Sequence, residues 1–361
     1  MKLLSLIFLL LILPLQHLSS QVVLQADGPG NTYELINSVL APGYNVVETP
    51  DCGHTAFGRH IDELMDTDLG KNVFRFFIHV NEDDDRCRNF DRQRNEIKTY
   101  DKSPDNLLGV EGETVVYKWQ FKLPVGFQVT SSFTHLHQLK SVNDDFDNMP
   151  MYTLTAYSSS SGVIRVRYAE FGTQSTVAQV PISGFLGHWV EVTETITYSN
   201  PGAYSLVINK VSDGTNLLNY SNNNNNWRDV VTEPGVTIDD VFIRPKWGVY
   251  RSLNSSGSLR DEEVLFADFS IEENPPLSIN TSNIENNANK MVPNPTKDIV
   301  TFKTNKSDHY DYFLIYNTLG QILTSKNKEK TLDTSIFRKG SYLVVFFKNN
   351  LKLEAHKLVI K

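Results

Sequence analysis

Hydrophobic and polar residues alternate in short runs through most of the chain. Stretches such as TVVYKWQFKL, GVIRVRYAEF and HWVEVTETITY repeat an apolar side chain at about every second position, which is the period of a strand with one buried face. Polar turns such as SSSSG, SNPG and SDGTN separate these runs. The pattern predicts an all-β fold, a β-jelly roll or concanavalin-like sandwich, over residues 21–274. Only GRHIDELMDTDLG has a helix-like spacing.

Two segments depart from the strand pattern. Residues 1–20 combine a basic Lys2, an apolar run from Leu3 to Leu15 and two serines, which is the pattern of a secretory signal peptide. We expect no membrane span in the mature protein, because no other stretch approaches the roughly 20 apolar residues that a span needs. Residues 275–290 are rich in Asn, Ser, Pro and Glu and are predicted to be a flexible linker.

Residues 291–361 return to short strands and carry a series of ordered motifs. PNP before a strand, then YNTLGQ, KGSYLVV and a terminal HKLVIK, resemble the C-terminal sorting domain of the type IX secretion system of Bacteroidetes. The resemblance implies a small β-sandwich, the type IX secretion machinery as a partner, and a secreted or cell-surface protein.

Charge is distributed unevenly along the chain. The formal net charge is −8, and from Lys290 onward 13 Lys and Arg stand against 6 Asp and Glu, a net of +7, so the preceding part carries −15. An acidic main domain argues against nucleic acid as a partner. If it binds an anionic polymer, its positive charge must be concentrated in a groove.

The chain has two cysteines, Cys52 and Cys87. In an oxidising compartment we expect them to form a disulfide.

One stretch, FTHLHQLKSV, places several polar side chains on a predicted strand. Side chains alternate between the two faces of a strand, so Gln138 and Lys140 share one face. We expect that face to line a wet cleft, because a buried lysine is costly unless it is paired. His135 and His137 fall on the other face, as core histidines or, if a bulge turns either one, as groove residues.

Cations and a large aromatic ring mark three further strands. Arg94 lies in DRQRNEIKTY, Arg165 and Arg167 alternate in VIRVRY, and IRPKWGVYRS contains Trp247 and Arg251. Guanidinium groups bind carboxylate or sulfate in a bidentate manner, and a tryptophan can offer a flat surface to a sugar ring. Each residue has an alternative. Arg94 would form a structural salt bridge, Arg165 and Arg167 would lie on a solvated face, and Trp247 would belong to the core.

These residue types favour β-elimination on a uronic acid. A glycosidase needs two carboxylates, and none of these four segments offers an obvious pair, although NDDFDN and NEDDD leave a hydrolase open. In an elimination, Gln138 and an arginine would neutralise the carboxylate beside the C5 proton. Lys140 would be the base and Tyr250 the acid, or Tyr250 would serve as both.

The segments GRHIDELMD, DRQRNEIKTY, HLHQLKSV and RPKWGVYRS, in this order, resemble secreted jelly-roll polysaccharide lyases of marine Bacteroidetes, with the ulvan lyases of family 28 as the nearest group and glucuronan and heparin lyases as relatives. The resemblance implies endolytic cleavage that leaves a 4,5-unsaturated uronate, and it implies a lysine and a tyrosine as catalytic pair, here Lys140 and Tyr250. A glucuronan- or heparin-type substrate and a non-catalytic lectin-like module are the alternatives.

Such jelly rolls often hold a structural calcium ion and no organic cofactor. Asp27 and Asp268 would provide oxygen ligands for calcium if the terminal strands pair; otherwise they are solvated surface aspartates.

Overall fold

The computed structural model describes residues 21–159, 161–273, 290–303, 310–317, 322–327, 329–348 and 351–361. The chain divides into two compact units between Pro275 and Pro276. The predicted signal peptide at 1–20 and nearly all of the predicted linker lie outside the described residues.

Short antiparallel strands account for most of the first unit. Its strands are β1 (Gln21–Leu24), β2 (Val47–Glu48), β3 (Ile61–Asp66), β4 (Lys71–Ile78), β5 (Arg92–Lys98), β6 (Thr114–Lys122), β7 (Thr134–Val142), β8 (Tyr152–Tyr157), β9 (Val163–Tyr168), β10 (Ser175–Pro181), β11 (Val190–Thr197), β12 (Tyr204–Lys210), β13 (Asn216–Asn222), β14 (Phe242–Ser252) and β15 (Glu262–Glu273). The helix α1 (Thr32–Leu40) and short 3-10 helices at Asp105–Leu107, Ile182–Gly184, Ile238–Asp240 and Ser256–Ser258 complete its described residues.

These strands form two sheets that face each other. One sheet has the order β13-β12-β11-β6-β15-β4-β3, with β1 added on β15, and the other has the order β10-β9-β8-β7-β14-β5-β2. Apolar side chains from both sheets meet in one core, including Trp119 and Phe266 from the first sheet and Leu139 and Trp247 from the second. The predicted all-β sandwich of jelly-roll type is therefore confirmed.

The helix predicted in GRHIDELMDTDLG is wrong. Ile61–Asp66 is a strand that pairs along its whole length with β4, and the Asp66 carboxylate accepts backbone N–H bonds from Asp68 and Leu69, both 2.9 Å, to close the turn. Pairing with the neighbouring strand β4 outweighed the helical spacing of the apolar residues. Such pairing cannot be recognised from the local sequence. The α-helix lies earlier, at Thr32–Leu40, where Ile36 and Leu40 reach the core.

The second unit is a small β structure with its own core. Its strands are β16 (Lys290–Val292), β17 (Ile299–Lys303), β18 (Tyr312–Tyr316), β19 (Ile322–Asn327), β20 (Thr331–Asp333), β21 (Gly340–Lys348) and β22 (Leu351–Ile360). They form sheets of order β16-β17-β20 and β19-β18-β21-β22, and Val300, Phe313 and Phe346 are among the buried residues. Within the described ranges, no helix is long and apolar enough to cross a membrane.

Candidate active site

The face of the second sheet that points away from the core carries a groove of about 700 Å³. Alternate side chains of β5, β14, β7 and β9 form its floor, and the loops around residues 85–89, 148–150 and 172–174 contribute its walls. The groove is lined by Asp85, Arg86, Asn89, Arg92, Arg94, Phe133, His135, Gln138, Lys140, Asn148, Met149, Pro150, Arg167, Gly172, Thr173, Gln174, Lys246 and Tyr250.

A β-bulge decides which side chains of β7 reach the groove. The pairing of β7 with β8 shifts by one residue between His135 and His137. Odd-numbered residues before the bulge therefore face the same side of the sheet as even-numbered residues after it. Phe133 and His135 therefore line the groove together with Gln138 and Lys140. Leu136 turns into the core instead.

A second irregularity, in the pairing of β14 with β7, sets the position of Tyr250 along the groove. Gly248 has a φ of +140°, and a Cβ at this position would lie 2.1 Å from the backbone oxygen of Asn95 in the adjacent strand. Only glycine allows this close approach of the two backbones. The register of β14 with β7 shifts between Trp247 and Tyr250, which sets Tyr250 opposite His135.

Two arginines surround the phenol of Tyr250. Arg92 donates a hydrogen bond from Nη1 to the Tyr250 oxygen, 3.0 Å, and the guanidinium carbon of Arg94 lies 3.6 Å from the centre of the Tyr250 ring. The ring of Phe133 lies 5.0 Å and that of His135 6.0 Å away, centre to centre. The phenol oxygen is thus held beside a cation, at the edge of an aromatic cluster.

Beneath the groove lies a buried ionic network. Lys246 contacts carboxylates of both Glu48 and Glu96, the latter at 3.0 Å, and Arg94 bridges Glu96 and Asp85. Burial alone would raise the pKa of the Glu48 carboxyl, but the charges of Lys246 and neighbouring cations hold it below its ordinary value. Breaking such a pair leaves an uncompensated buried charge, so the network fixes the floor of the groove.

Positive charge predominates among the lining residues. Six cationic side chains, those of Arg86, Arg92, Arg94, Lys140, Arg167 and Lys246, stand against one carboxylate, that of Asp85. The acidic main domain was expected to concentrate its positive charge in a groove if it binds an anionic polymer, and this groove has such a concentration. Low-dielectric walls strengthen the attraction of such a site for an anion.

Two titratable side chains of β7 have shifted pKa values. Burial, with the charges of Lys246 and Arg244, lowers the pKa of Lys140 to about 8. Burial also lowers the pKa of His135 to about 3, with Arg167 and Arg94 adding to the effect. The His135 Nδ1 lies 2.8 Å from the Thr155 hydroxyl oxygen, which leaves Nε2 as the other ring nitrogen available for a ligand.

Five predicted site residues line the same groove: Gln138, Lys140, Tyr250, Arg94 and Arg167. Gln138 donates from Nε2 to Glu96, and Arg167 donates from Nη2 to the backbone oxygen of Gln174, 3.1 Å. Residues distant in sequence are brought together by the neighbouring positions of β5, β14, β7, β8 and β9 in one sheet.

Trp247 and His137 do not reach the groove. Both are 1 % exposed or less, on the core side of their strands. His137 Nε2 lies 2.8 Å from Glu194 Oε2, and the ring of Trp247 packs 5.1 Å from that of Phe269. The predicted sugar contacts of Trp247 and His137 are therefore wrong and the alternative core positions hold, because alternation with Lys246 in β14 and with Gln138 in β7 directs both rings inward.

Arg251 and Arg165 are also outside the groove. Arg251 is fully buried and donates to Gln93 Oε1, 2.8 Å, and to the backbone oxygen of Arg260, 3.0 Å. The Arg165 guanidinium stacks on the Tyr157 ring, 3.6 Å from its centre. Arg165 shares a face with Arg167 but lies two residues along the strand, beyond the residues that line the groove. Their predicted role in substrate binding is not supported.

Several groove residues were not assigned from the sequence. Arg92 alternates with Arg94 in β5, so the strand period alone could have indicated it, whereas Lys246 was visible only as part of RPKWGVYRS. Arg86 comes from a loop that carries no periodic signal. The placement of His135 depended on a bulge that no motif marks.

The predicted calcium ligands have other contacts. The terminal strands do pair, with Leu24 opposite Phe269, but Asp268 binds the ammonium group of Lys71 and accepts from Gln25 Nε2, 3.2 Å. A cation would have to displace Lys71. Among the residues that the structure describes, Asp268 and Asp27 belong to no cluster of three or more potential metal ligands, and calcium at this position stays a prediction.

Cys52 and Cys87 form the predicted disulfide.

A sandwich with a cation-lined groove across one sheet offers a long surface with an excess of positive charge. The family described as "Polysaccharide lyase" matches residues 70–270, more than half of the 361 residues. The chain belongs to this family, and the protein is a polysaccharide lyase. The family "Secretion system C-terminal sorting domain" matches residues 290–361, which supports type IX secretion and a secreted or cell-surface location.

Several solved structures are similar to part of this chain. A family 7 alginate lyase crystallised with its substrate is 15% identical, with 66% of this chain and 99% of that chain covered and a TM-score of 0.43. The alginate lyase PA1167 from Pseudomonas aeruginosa is 13% identical, with coverage of 63% and 96% and a TM-score of 0.41. The alginate lyase Aly36B is 12% identical, with coverage of 70% and 96% and a TM-score of 0.43. Among curated proteins no match was found.

Proposed function

We propose that the protein is an endolytic lyase that cleaves ulvan, a sulfated uronate polymer of algae, by β-elimination at the uronic acid. The observation that carries the proposal is the groove itself, in which five further cations and one carboxylate surround Tyr250, Gln138 and Lys140. The residue segments that resemble family 28 ulvan lyases include β7 and β14, which supply these three side chains.

The excess of positive charge supports an anionic polymer as substrate. A uronate carboxylate alone would be balanced by one or two cations, and sulfate esters on adjacent sugars would use the others. Arg92, Arg167 and Lys140 are not bound to the buried carboxylates Glu48 and Glu96, and the carboxylate that Arg92 does pair with, at 2.7 Å, is that of the exposed Asp91. They are therefore the cations best suited to meet the ligand.

The reaction needs three roles around one uronate. A cation and an amide neutralise the carboxylate, a base removes the C5 proton, and an acid protonates O4 as the C4–O4 bond breaks and a C4=C5 double bond forms. Gln138 and Arg167 are proposed as neutralisers. Tyr250, with Arg92 donating to its oxygen, is proposed as the acid, because the adjacent cation would stabilise the negative charge left on that oxygen.

Lys140 is proposed as the base. Its lowered pKa of about 8 leaves a useful neutral fraction near neutral pH, which suits a general base. His135 lies directly opposite Tyr250, whereas Lys140 lies five residues further along β7. The extended side chains of Lys140 and Tyr250 would therefore have to converge on the same uronate from backbone positions roughly 15 Å apart by strand geometry. A pKa of about 3 makes His135 a poor proton acceptor, so its proposed part is hydrogen bonding to the sugar beside Tyr250.

The test is incubation of the purified protein with ulvan, glucuronan, a heparin-type polymer and alginate in parallel, following the ultraviolet absorbance of the conjugated double bond. We expect the largest initial rate on ulvan, with a rapid fall in polymer length as an endolytic enzyme produces. A higher rate on a non-sulfated polyuronate would overturn ulvan as substrate. Saturated reducing ends without absorbance would indicate a hydrolase, and retention of polymer with no product a lectin-like module.

A further inference from the structure

Three histidines and one aspartate converge outside the groove. His54, His60, His79 and Asp83 each direct one ligand atom into a cluster in which all of these atoms lie within 4.8 Å of one another. Asp83 Oδ1 lies 2.9 Å from His54 Nδ1 and 3.0 Å from His60 Nε2, and Asp83 Oδ2 lies 3.3 Å from His79 Nδ1. The three imidazoles thus surround one carboxylate.

The fold holds these four residues in place by independent means. His60 precedes β3 and His79 follows β4, and these two strands are paired neighbours whose contact extends to the Phe77 N–H bond to the His60 oxygen, 2.9 Å. His54 and Asp83 come from two loops that the Cys52–Cys87 disulfide joins. The cluster therefore connects the two disulfide-linked loops to the end of the β3–β4 hairpin.

A second layer of polar groups orients the cluster. His60 Nδ1 lies 2.8 Å from Asp51 Oδ1, and Asp51 in turn accepts from the Tyr33 hydroxyl, 2.9 Å. Asp83 Oδ2 accepts the backbone N–H of His79, 2.6 Å, and its backbone oxygen accepts from Gln93 Nε2, 3.0 Å. A carboxylate behind an imidazole fixes the ring and directs its other nitrogen, as is common for metal-bound histidine.

Burial is graded across the cluster. The side chains of His60 and Asp83 are fully buried, and those of His54 and His79 are 17 % exposed. An ion could therefore enter past His54 and His79 and be bound at depth by the other two. The neighbouring group of Cys52, Asp84 and Cys87 offers no thiolate, because its cysteines are in the disulfide.

We propose that His54, His60, His79 and Asp83 form a structural zinc site. Three imidazole nitrogens and one carboxylate oxygen are a complete tetrahedral ligand set for zinc. Calcium prefers six to eight oxygen ligands and does not match this donor set. With all four positions filled by the protein, the ion would stabilise the loops rather than activate water.

The position of the site gives it a second consequence. Asp83 is two residues from Asp85, which binds Arg94 Nε at 2.8 Å, and Arg94 lies over Tyr250. Fixing Asp83 would thus fix the loop that supports the wall of the groove. This consequence rests on the proposed function of the groove, whereas metal binding itself does not.

The test measures metal binding directly. The full chain is stripped with a chelator, dialysed, and titrated with Zn²⁺ or Ca²⁺ while the thermal midpoint is followed, and Co²⁺ is added to a separate sample for its visible spectrum. We expect about one Zn²⁺ per chain, a thermal midpoint several degrees higher with Zn²⁺ but not with Ca²⁺, and the intense absorption of tetrahedral Co²⁺.

Variants locate the ion. His54→Gln and His79→Gln, at the two partly exposed positions, should each weaken Zn²⁺ binding at least tenfold, whereas His188→Gln, an exposed histidine elsewhere, should not. If a variant does not fold, the Co²⁺ spectrum of the wild-type protein still tests whether a tetrahedral metal site exists. No Co²⁺ absorption, a midpoint insensitive to Zn²⁺, or unchanged Zn²⁺ binding by both folded variants would overturn the site in favour of a hydrogen-bonded histidine cluster. Normal zinc binding by a protein that shows no lyase activity would contradict the proposed function and leave the zinc site intact.

Discussion

Arg94 lies over the ring of Tyr250, with its guanidinium carbon 3.6 Å from the ring centre, while the same guanidinium binds the buried carboxylates of Glu96 and Asp85. The phenol is thereby attached to the ionic network beneath the groove. A cation over an aromatic face contributes about 0.5–2 kcal/mol, the larger figure when desolvated. Tyr250 therefore combines a fixed ring with an oxygen that receives a hydrogen bond from Arg92.

Tyr250→Phe should remove catalysis while keeping the ring and its stack with Arg94. We expect kcat to fall by about 10²- to 10⁴-fold, the usual contribution of a general acid, with polymer retention on an affinity gel unchanged. Initial rates from ultraviolet absorbance measure the first quantity. Tyr157→Phe is the matched control, because Tyr157 also carries a stacked arginine, Arg165 at 3.6 Å, but lies outside the groove. Equal loss in both variants would contradict the assignment.

Lys140 should make the rate depend on pH. A base must be neutral to accept a proton, and the pKa of Lys140 is lowered to about 8, so kcat/KM should rise about tenfold per pH unit below 8 and level off above it. Lys140→Met should remove this rise along with most of the activity. Lys118→Met, an exposed lysine on the other sheet, should keep the profile of the unchanged protein. A rise that persists in Lys140→Met would assign the base elsewhere.

Arg167 and Arg165 provide a comparison within one strand. Arg167 lines the groove, and Arg165 stacks on Tyr157 outside it. We expect Arg167→Ala to raise KM about tenfold or more, since a charged hydrogen bond to the ligand is worth about 1.5–3 kcal/mol, and to weaken the dependence of KM on salt. Arg165→Ala should change KM less than twofold. Steady-state kinetics at two ionic strengths distinguish the two variants. A larger rise in KM for Arg165→Ala than for Arg167→Ala would show that the substrate does not bind in this groove.

Glu48→Gln should destabilise the fold. Glu48 compensates Lys246, Lys98 and Arg86, and removing one partner of a buried pair costs about 3–5 kcal/mol. Denaturant titration gives the free energy of unfolding, with Glu191→Gln on an exposed site as control.

The same pair of variants tests the pH dependence of stability. The folded pKa of Glu48 is lowered, so its stabilisation is present above the ordinary carboxyl pKa of about 4.3 and is lost as pH falls through the lower range. The difference in unfolding free energy between the unchanged protein and Glu48→Gln should therefore shrink in acid. A constant difference across pH would show that the loss is steric and not ionic.

The sequence alone determined the class of fold and much of the groove. The period-two pattern specified strands, because a half-buried strand requires alternation, and it placed Gln138, Lys140 and Arg94 on faces that proved to be the groove. The ordered motifs after Lys290 indicated the sorting domain, which a family match over residues 290–361 supports. The pair of cysteines was enough to predict the disulfide.

The tertiary structure decided what alternation cannot report. A one-residue bulge in β7 brings His135 to the same side as Gln138 and Lys140, because inserting one residue reverses the parity of the side chains beyond it. His137 stays on the core side, as plain alternation with Gln138 requires. The pairing of β3 with β4 replaced an expected helix. It also placed His60 and His79, nineteen positions apart in the chain, within one cluster with His54 and Asp83, since strand neighbours are set by the whole sheet and not by local sequence.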